Sequence, residues 1–406
     1  MLSDSIIVLK LGPLGCTVIT SDIPNSIDDF NVVKGNPVDI LNVLGAGDAF
    51  MSGFLRGYLR GESLEKSANY ANASGALVVS RHGCAPAIPG ENELLYYIEN
   101  AANIPDPTSD ITLNHLHRVS FRSKEEQEVF GFAFDHRKQL TDLAEMYGED
   151  ISKITELKKL FIRSVENTIE KLNIPEKNIG VLIDDTYGED ALNSIAEKAW
   201  WIGRPVELPG SRPLKFEGQQ SIGSKLQSWP LSHVVKCLFY YHPDDSDELK
   251  TKQEQKVKEL YFACIQSGHQ LLLEVIPPSE YEMDEEIIPT VLKRFYDLEI
   301  KPDWWKLPAL KDKSWVQVSD VINSYDPHCQ GVLLLGLSAP IDTVIESFSV
   351  AAKYNICKGF TVGRTIFYEP AKLWMQHKIS DQELVDFVST NYNELIQSWK
   401  KYKEEI

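Results

Sequence analysis

The chain has 406 residues, a length that favours two domains over one. Its hydrophobic content of 43% and charged content of 25% are typical of a globular protein with a large core. The net charge of −18 argues against nucleic acid or an anionic membrane as the main partner, although a locally basic pocket could still hold an anionic substrate.

The cysteines and the apolar segments indicate where the protein works. Six cysteines are widely scattered and form no C-x-x-C pair, a pattern that favours reduced thiols in a cytoplasmic protein. No apolar segment reaches the roughly 18 residues of a membrane helix, and the N-terminus lacks the pattern of a signal peptide. We therefore expect a cytoplasmic protein without a membrane segment.

The first hundred residues predict a small α/β unit. Its predicted strands cover residues 5–11, 16–20 and 30–33, and its predicted helices cover residues 49–60, 64–80 and 91–102. Gly45 and Gly47 stand where the first helix begins, so free backbone N–H groups would face an anion there. Asp48 follows in the first turn, and a carboxylate beside an anion pocket suits phosphoryl transfer to a hydroxyl. A plain capping turn would give the same pattern.

Four segments of this unit resemble the ribokinase-like (PfkB) sugar kinases. The closest correspondence is Gly45-Ala-Gly-Asp-Ala-Phe-Met-Ser-Gly-Phe54, which is similar to the signature of that family. Residues 10–15 resemble its nucleotide-site strand and turn, and residues 69–74 and 80–86 resemble its late helix and tail. Within the family, the resemblance is strongest to the 5-dehydro-2-deoxygluconokinases of inositol breakdown.

The resemblance implies roles for individual residues. Asp48 would be the base that deprotonates the sugar hydroxyl, and Asn42 stands where the wider family more often has aspartate. The implied nucleotide site and anion hole comprise Gly12, Gly15, Gly45, Ala46, Gly47 and Asn72. ATP and Mg²⁺ would be needed if this portion is functional. Because family members begin well before the point where this chain starts, residues 1–105 are predicted to be the C-terminal fragment of such a kinase, a truncated ribokinase-like α/β domain with doubtful activity.

Residues 103–110 have the turn-rich composition of a linker, which is predicted over residues 106–118. Residues 119–406 then alternate between strands and helices. The predicted strands cover residues 131–134, 179–184, 206–208, 234–241, 270–276, 303–307, 331–336 and 358–362. The predicted helices between them include residues 151–172, 192–201, 252–267, 285–298, 315–324 and 341–354. Eight such units predict a (β/α)8 TIM barrel, and an open doubly wound sheet is the alternative.

Charged residues fall on or just after these strands, where a barrel of this kind carries its chemistry. They are Asp135, Asp184, Asp185, Lys236, Glu274, Lys306 and Arg364. Lys306 lies in a short apolar run between prolines, so it should be buried and either paired or deprotonated. Each charged residue alone could be a helix cap or a structural ion pair. Their joint occurrence favours a site with perturbed pKa values.

The cluster suggests Schiff-base chemistry. A protonated Lys236 would lower the pKa of Lys306, leaving a neutral amine that can attack a ketone. Glu274 or Asp135 would move the protons of the reaction. Arg364, with Gly336 and Ser338, follows the last two strands, where barrels commonly bind phosphate, and this placement predicts a phosphorylated ketose. No histidine or cysteine spacing predicts a metal site, so a zinc-dependent aldolase is the weaker alternative.

The strand ends also resemble those of the tagatose 1,6-bisphosphate aldolases, which belong to class I. The shared segments are residues 133–137, 235–241, 273–275, 305–308, 336–339 and 363–364. The resemblance implies that Lys306 is the Schiff-base lysine and that the aldolase needs no cofactor. With the kinase-like segment, it implies a phosphorylated keto-sugar acid as substrate, 6-phospho-5-dehydro-2-deoxygluconate, cleaved to dihydroxyacetone phosphate and malonate semialdehyde.

Two alternatives remain open from the sequence: catalysis confined to the kinase half, and a barrel that binds a sugar phosphate without turnover. The unpaired edge expected of a cut kinase sheet also makes a homo-oligomer conceivable.

Overall fold

The computed structural model describes residues 5–20, 23–26, 29–120, 128–218, 220–282 and 284–405. The chain divides into two compact units, residues 1–124 and residues 125–406. Among the described residues, no helix combines the length and the apolar character needed to cross a bilayer.

The described residues of the first unit form a three-stranded antiparallel sheet and four α-helices. The strands are β1 (Ile7–Lys10), β2 (Gly15–Ile19) and β3 (Val32–Lys34), in the order β1-β2-β3. The helices are α1 (Ala46–Leu59), α2 (Leu64–Val79), α3 (Glu91–Asn100) and α4 (Ile111–Ser120). The three predicted strands and first three predicted helices are confirmed.

Helix α4 corrects the prediction that residues 106–118 form a linker. The Asp110 carboxylate accepts a hydrogen bond of 2.7 Å from the backbone N–H of Leu113, which is a helix-capping contact. Leu113 is fully buried and packs in a cluster with Leu94 and Tyr97 of α3. The turn-forming residues therefore end at a cap, and the helix that follows is part of the first unit's core.

Helices α1 and α2 pack closely because α1 carries glycine at the contact. A Cβ atom added to Gly53 would lie 2.5 Å from the backbone oxygen of Tyr70, and one added to Gly57 would lie 2.5 Å from the Ser67 Oγ. A larger side chain at either position would force the helices apart. This contact fixes the position of the N-terminus of α1, where the predicted anion site lies.

The second unit is a closed parallel barrel, which confirms the predicted (β/α)8 architecture. The ring order is β10-β11-β4-β5-β6-β7-β8-β9. The strands are β4 (Val129–Ala133), β5 (Ile179–Leu182), β6 (Trp201–Pro205), β7 (His233–Tyr240), β8 (Gln270–Ile276), β9 (Trp304–Leu307), β10 (Gly331–Leu334) and β11 (Cys357–Val362).

Ten helices of the described residues accompany these strands. They are α5 (Lys138–Tyr147), α6 (Ser152–Leu172), α7 (Asp185–Ser194), α8 (Ile222–Leu226), α9 (Asp247–Ser267), α10 (Ile287–Asp297), α11 (Asp312–Tyr325), α12 (Ile341–Ala351), α13 (Arg364–Met375) and α14 (Asp381–Glu404). The last of these packs against α6, α12 and α13 on the outside of the barrel.

The predictions for the third strand and its preceding helix were wrong. The helix was predicted at residues 192–201 and the strand at 206–208, whereas α7 ends at Ser194 and β6 already begins at Trp201. Helix α7 starts early because the Asp184 carboxylate accepts a hydrogen bond from the backbone N–H of Tyr187. Trp201, which the predicted helix included, lies inside the barrel and contacts Trp304 edge to face.

A cluster of apolar side chains fills part of the barrel interior. It contains Val129, Ala133, Leu182, Trp201, Val234, Leu272, Trp304 and Leu333. Since side chains alternate between the two faces of a strand, residues two positions further along point into the same interior. This apolar cluster therefore supports the interior side chains that lie closer to the C-terminal ends of the strands.

Candidate active site

Strand alternation places the predicted catalytic residues inside the barrel. Lys236, Glu274 and Lys306 each follow an interior residue of their own strand by two positions. Asp135 stands in the same relation to Ala133, just beyond the end of β4. All four are buried, with Lys236 only 3% and Lys306 only 5% exposed. The structure thus brings these four predicted residues together at one end of the barrel.

The two lysines share one carboxylate. The Lys306 Nζ lies 3.1 Å from Oε1 of Glu274, and the Lys236 Nζ lies 3.0 Å from Oε2 of the same residue. Burial opposes the ionisation of Glu274, but the two ammonium groups outweigh it and lower the pKa of Glu274. Glu274 is therefore a carboxylate within proton-transfer distance of Lys306 and ion-paired with Lys236.

Lys236 is surrounded by three carboxylates. Besides Glu274, its Nζ donates hydrogen bonds of 2.9 Å to Asp135 and 2.9 Å to Glu207. Burial disfavours the charged amine, but these carboxylates raise the pKa of Lys236 well above its ordinary value. Burial likewise disfavours the charged form of Asp135, while Lys236 holds the pKa of Asp135 well below its usual range. Lys236 is thus a permanent cation at neutral pH, and Asp135 is ionised in the site without substrate.

Sequence reasoning missed Glu207. It lies just past β6 and is 4% exposed, and one of its carboxylate oxygens also accepts a hydrogen bond of 3.2 Å from the backbone N–H of Leu238. Glu207 lies in a predicted strand next to the strand that carries Lys236, and this placement was a usable signal. The predicted bounds of that strand left out Trp201, however. They therefore hid that Glu207 lies an even number of residues after Trp201 and faces the same barrel interior.

Arg137 was not predicted as a site residue, yet it lines the cavity at the mouth of the barrel. Its guanidinium donates to the backbone oxygen of Glu207 at 3.1 Å, to Oε1 of that residue at 3.3 Å and to Glu217 at 2.5 Å. Arg137 therefore connects the loop after β4 to the segment that follows β6.

His136 was missed as well. Its ring contacts Phe367 edge to face, and its Nδ1 lies 3.9 Å from the Asp135 carboxylate, beyond hydrogen-bond distance. Burial, assisted by Arg364 and despite the opposing effect of Asp135, lowers the pKa of His136 to about 3. His136 is consequently a neutral imidazole on the cavity wall at physiological pH.

The mouth of the barrel contains a cavity of about 150 Å³. Its walls include Asp135, Lys236, Glu274, Lys306 and the predicted phosphate-binding residues Gly336, Ser338 and Arg364. The volume is below the roughly 300–1,000 Å³ of sites for drug-sized ligands, so the cavity fits a small metabolite.

The predicted phosphate site lies where the loop after β10 meets the start of α13. Arg364 is the first residue of α13, so the helix N-terminus presents backbone N–H groups without intrahelical partners. Leu337 and Ser338 have φ angles of 45° and 63°, a left-handed turn of the kind that turns N–H groups towards an anion. The Thr365 hydroxyl donates 2.8 Å to the Ala339 backbone oxygen and joins the loop to the helix.

Asp184 and Asp185 serve the scaffold instead. Asp184 is fully buried, caps α7 and forms an ion pair with the equally buried Lys158 of α6. Lys158 also donates 3.2 Å to the His136 backbone oxygen, which holds the turn after β4. Asp185 pairs with the Arg204 guanidinium at 2.6 Å.

The predicted anion hole of the first unit adopts the expected helix start. Gly45 has a φ of 84° immediately before α1, and Asp48 lies exposed in the first turn. The Asn42 side chain donates 2.7 Å to the Gly83 backbone oxygen and accepts 3.1 Å from the Leu44 N–H, which fixes this turn. The Lys10 Nζ donates 3.2 Å to the Gly47 backbone oxygen.

Three other residues of the predicted nucleotide site are described by their contacts or their backbone conformation. The Asn72 amide donates 3.0 Å to the backbone oxygens of Val33 and Lys34, so its N–H groups bind β3. A Cβ atom on Gly15 would lie 2.0 Å from the Val33 backbone oxygen. Gly12 adopts a φ of 59° in a short 3-10 turn. Their roles in nucleotide binding stay predictions.

Among the described residues, no group of three or more His, Cys, Asp or Glu side chains is arranged to hold a metal ion.

Comparison with known families divides the sequence into two parts. Residues 93–403 match the family described as "Uncharacterized protein conserved in bacteria (DUF2090)". Residues 2–90 match the pfkB family of carbohydrate kinases.

The similar curated proteins are sugar kinases. The 5-dehydro-2-deoxygluconokinase of Clostridium beijerinckii is 35% identical over 96 residues, which are 24% of this chain and 27% of that protein. The probable fructokinase-3 of Arabidopsis thaliana is 29% identical over 102 residues, which are 23% of this chain and 28% of that protein. The chain spans about a quarter of the length of these relatives.

A solved structure with a similar fold is the fructose-bisphosphate aldolase of Plasmodium falciparum. It has a TM-score of 0.53 and 10% sequence identity, with 73% of this chain and 96% of that chain covered. At this identity the likeness shows the aldolase-type barrel fold alone.

Proposed function

The chain belongs to the DUF2090 family, and we propose that its barrel is a class I aldolase that cleaves a phosphorylated keto-sugar acid through a Schiff base on Lys306. The observation that supports this most strongly is the pair of buried lysines on either side of Glu274. Burying two amines among carboxylates is costly, and such clusters occur mainly where chemistry requires them.

The first half of the reaction forms the imine. Lys306 passes a proton to Glu274, 3.1 Å away, and its free amine attacks the substrate ketone. Glu274 then returns the proton to the departing hydroxyl of the carbinolamine, which leaves as water. The permanent cation Lys236 stabilises the negative charge on Glu274 through these steps.

The second half breaks the carbon–carbon bond. The ionised Asp135 accepts the proton of the hydroxyl on the carbon that becomes the aldehyde, and the bonding electrons move into the iminium to give an enamine. The protonated Asp135 gives its proton back to the enamine carbon, and water hydrolyses the renewed iminium, which releases the ketone fragment and restores Lys306. Arg364 and the N-terminus of α13 would hold the phosphate during both halves.

We propose 6-phospho-5-dehydro-2-deoxygluconate as substrate, with dihydroxyacetone phosphate and malonate semialdehyde as products. This proposal is supported by the kinase-like first unit, because a similar protein is named 5-dehydro-2-deoxygluconokinase and the phosphorylated form of the sugar in that name is this substrate. A kinase portion and an aldolase on one chain would catalyse consecutive steps, in the cytoplasm as the sequence predicts.

A cleavage assay tests the function. Incubation with this substrate should release dihydroxyacetone phosphate, measured by a coupled reduction with NADH, at a rate unaffected by a chelator. Lys306→Met should abolish release, whereas Lys293→Met, at an exposed position on α10, should not. Saturable binding of the substrate without any release would instead identify a barrel that only binds a sugar phosphate.

A second proposal concerns the first unit, where Asp48 follows the helix start at Gly45. If this unit is competent, ATP with its Mg²⁺ would phosphorylate 5-dehydro-2-deoxygluconate, with Asp48 as the base. ATP-dependent phosphorylation by this chain that disappears in Asp48→Ala would support it. Phosphorylation that persists in that variant would contradict the assigned base.

A further inference from the structure

Arg137 is a buried cation on the cavity wall that the proposed bond-breaking steps do not use. It is 6% exposed and lies on the loop after β4. Its contacts with Glu207 and Glu217 hold the guanidinium at the end of β6, and its Nε donates to no acceptor among the described residues. Arg137 is therefore charged, rigidly held and only partly satisfied.

The barrel order places this guanidinium across the mouth from Arg364. Arg364 follows β11, and the ring runs β11-β4-β5-β6, so three strand positions of eight separate the ends of β11 and β6. Both arginines line the same cavity. A ligand that reaches from one to the other must therefore carry an anionic or strongly polar group at each end.

Apart from Glu207, Lys236 and Glu274, the far wall of the cavity is uncharged. Between the ends of β6 and β8 the lining includes Pro209, Leu238, Tyr240 and Ile276. A substrate with its phosphate at Arg364 and its ketone at Lys306 extends its remaining carbons towards this wall. Arg137 is then the cation that its last carbon approaches.

The neighbours of Arg137 select the kind of anion. The terminal nitrogens of Arg137 already donate to Glu207 and Glu217, so a ligand meets one guanidinium charge with a single remaining donor. A carboxylate carries a single charge and needs only one cationic partner. A phosphate dianion in the same place would face the carboxylates of Glu207 and Glu217, both already bonded to Arg137, and would meet stronger repulsion.

We propose that Arg137 is the specificity residue that binds a carboxylate at the aldehyde end of the substrate. The site then takes a ketose acid with one phosphate and discriminates against bisphosphorylated ketoses. This inference rests on the proposed aldolase function and deepens it.

The test uses the condensation direction, in which the aldehyde can be varied while dihydroxyacetone phosphate is kept constant. Three aldehydes differ in the terminal group: malonate semialdehyde carries a carboxylate, 3-hydroxypropanal a neutral hydroxyl, and glyceraldehyde 3-phosphate a phosphate. The measured quantity is kcat/KM for each aldehyde. The wild type is expected to favour malonate semialdehyde over both others by at least tenfold.

Variants of Arg137 separate recognition from general damage. Arg137→Gln should lower the ratio of kcat/KM for malonate semialdehyde over 3-hydroxypropanal at least tenfold, mainly through KM for the acid. Arg137→Lys should retain more of this ratio than Arg137→Gln, because the charge remains. Lys138→Gln removes a neighbouring exposed cation, paired with Asp142, and should leave the ratio unchanged.

The outcomes are distinguishable from failure of the aldolase proposal. Borohydride reduction with dihydroxyacetone phosphate alone, which needs no aldehyde, reports whether Lys306 forms the imine in each variant. Two results would overturn this inference alone, provided that the imine forms. The wild type could show no preference for malonate semialdehyde, or Arg137→Gln could leave that preference intact. Absence of both imine and condensation in the wild type overturns the inference together with the proposed function.

Discussion

The backbone register of the barrel places Lys306 directly opposite Glu274, and their side chains then form an ion pair. The two residues are direct partners in the register between β9 and β8, and their Nζ and Oε1 atoms lie 3.1 Å apart. Because neighbouring strands of a closed barrel cannot slip without breaking the whole ring, this distance is set by the fold. The Lys306 amine and its proton acceptor Glu274 are thus already in place, so little side-chain conformational entropy is lost when the reaction begins. Imine formation requires this preorganisation.

Removal of Lys236 should damage both stability and activity. Lys236→Met leaves Asp135, Glu207 and Glu274 buried without their shared cation. Breaking a buried charge network by removing one partner costs about 3–5 kcal/mol, so urea denaturation should show a loss of this size in the free energy of unfolding. Lys293→Met breaks an exposed pair with Asp297 and should cost less than about 1 kcal/mol. Equal losses in the two variants would contradict the network.

His136 should make the barrel sensitive to mild acid. Its pKa is lowered from 6.5 to about 3 in the folded protein, chiefly by burial, so the unfolded chain binds a proton there first. The stability that neutral His136 contributes is complete above the unfolded pKa and is lost progressively as pH falls from 6.5 towards 3. Between pH 7 and pH 5 this linkage amounts to about 2 kcal/mol.

His136→Gln removes that linkage. The decrease in the free energy of unfolding between pH 7 and pH 5, measured by urea titration at both values, should be smaller in the variant than in the wild type. An identical decrease in the two proteins would show that His136 titrates normally in the folded state.

Arg364→Ala should weaken phosphate binding more than it slows chemistry. A hydrogen bond to a charged group contributes about 1.5–3 kcal/mol, which corresponds to roughly a tenfold to hundredfold rise in KM for a phosphorylated substrate. Inhibition by inorganic phosphate should weaken in parallel. Lys372→Ala, further along the same helix and partly exposed, should change neither constant. A normal KM in Arg364→Ala would remove Arg364 from the phosphate site.

Gly363 is needed for the close approach of β11 to β4. A Cβ atom at this position would lie 2.3 Å from the Ala133 backbone oxygen and 2.7 Å from the His136 ring. Gly363→Ala should therefore lower the free energy of unfolding by about 1–3 kcal/mol and displace Arg364, raising KM as well. Gly223→Ala has open space around the new Cβ and serves as the control, with little change expected in thermal denaturation. Unchanged stability and KM in Gly363→Ala would show that the backbone yields easily there.

The sequence was sufficient to predict the barrel and much of its centre because both depend on simple periodicity. Short apolar runs separated by helical segments gave the eight-strand count, and a lysine inside such a run, Lys306, could only point into the interior or pack against a helix. Lys236, Glu274 and Asp135 followed from the same pattern.

The parts that could not be predicted depend on contacts between distant residues. Glu207 bonds to Lys236 and to Arg137, which lie 29 positions later and 70 positions earlier in the chain, and a shifted boundary of β6 hid its inward direction. Asp184 looked like a mouth residue, but its partner Lys158 lies on α6, a pairing that no local pattern reveals. The linker prediction failed because proline and aspartate mark both a loop and the cap of the helix that follows it.

The imine on Lys306 can be trapped by borohydride reduction in the presence of dihydroxyacetone phosphate and located by mass spectrometry and peptide mapping. We expect one covalent adduct per chain on Lys306 and none in Lys306→Met. An adduct on Lys236 instead, or no adduct while dihydroxyacetone phosphate is still being released from substrate, would contradict the Schiff base on Lys306.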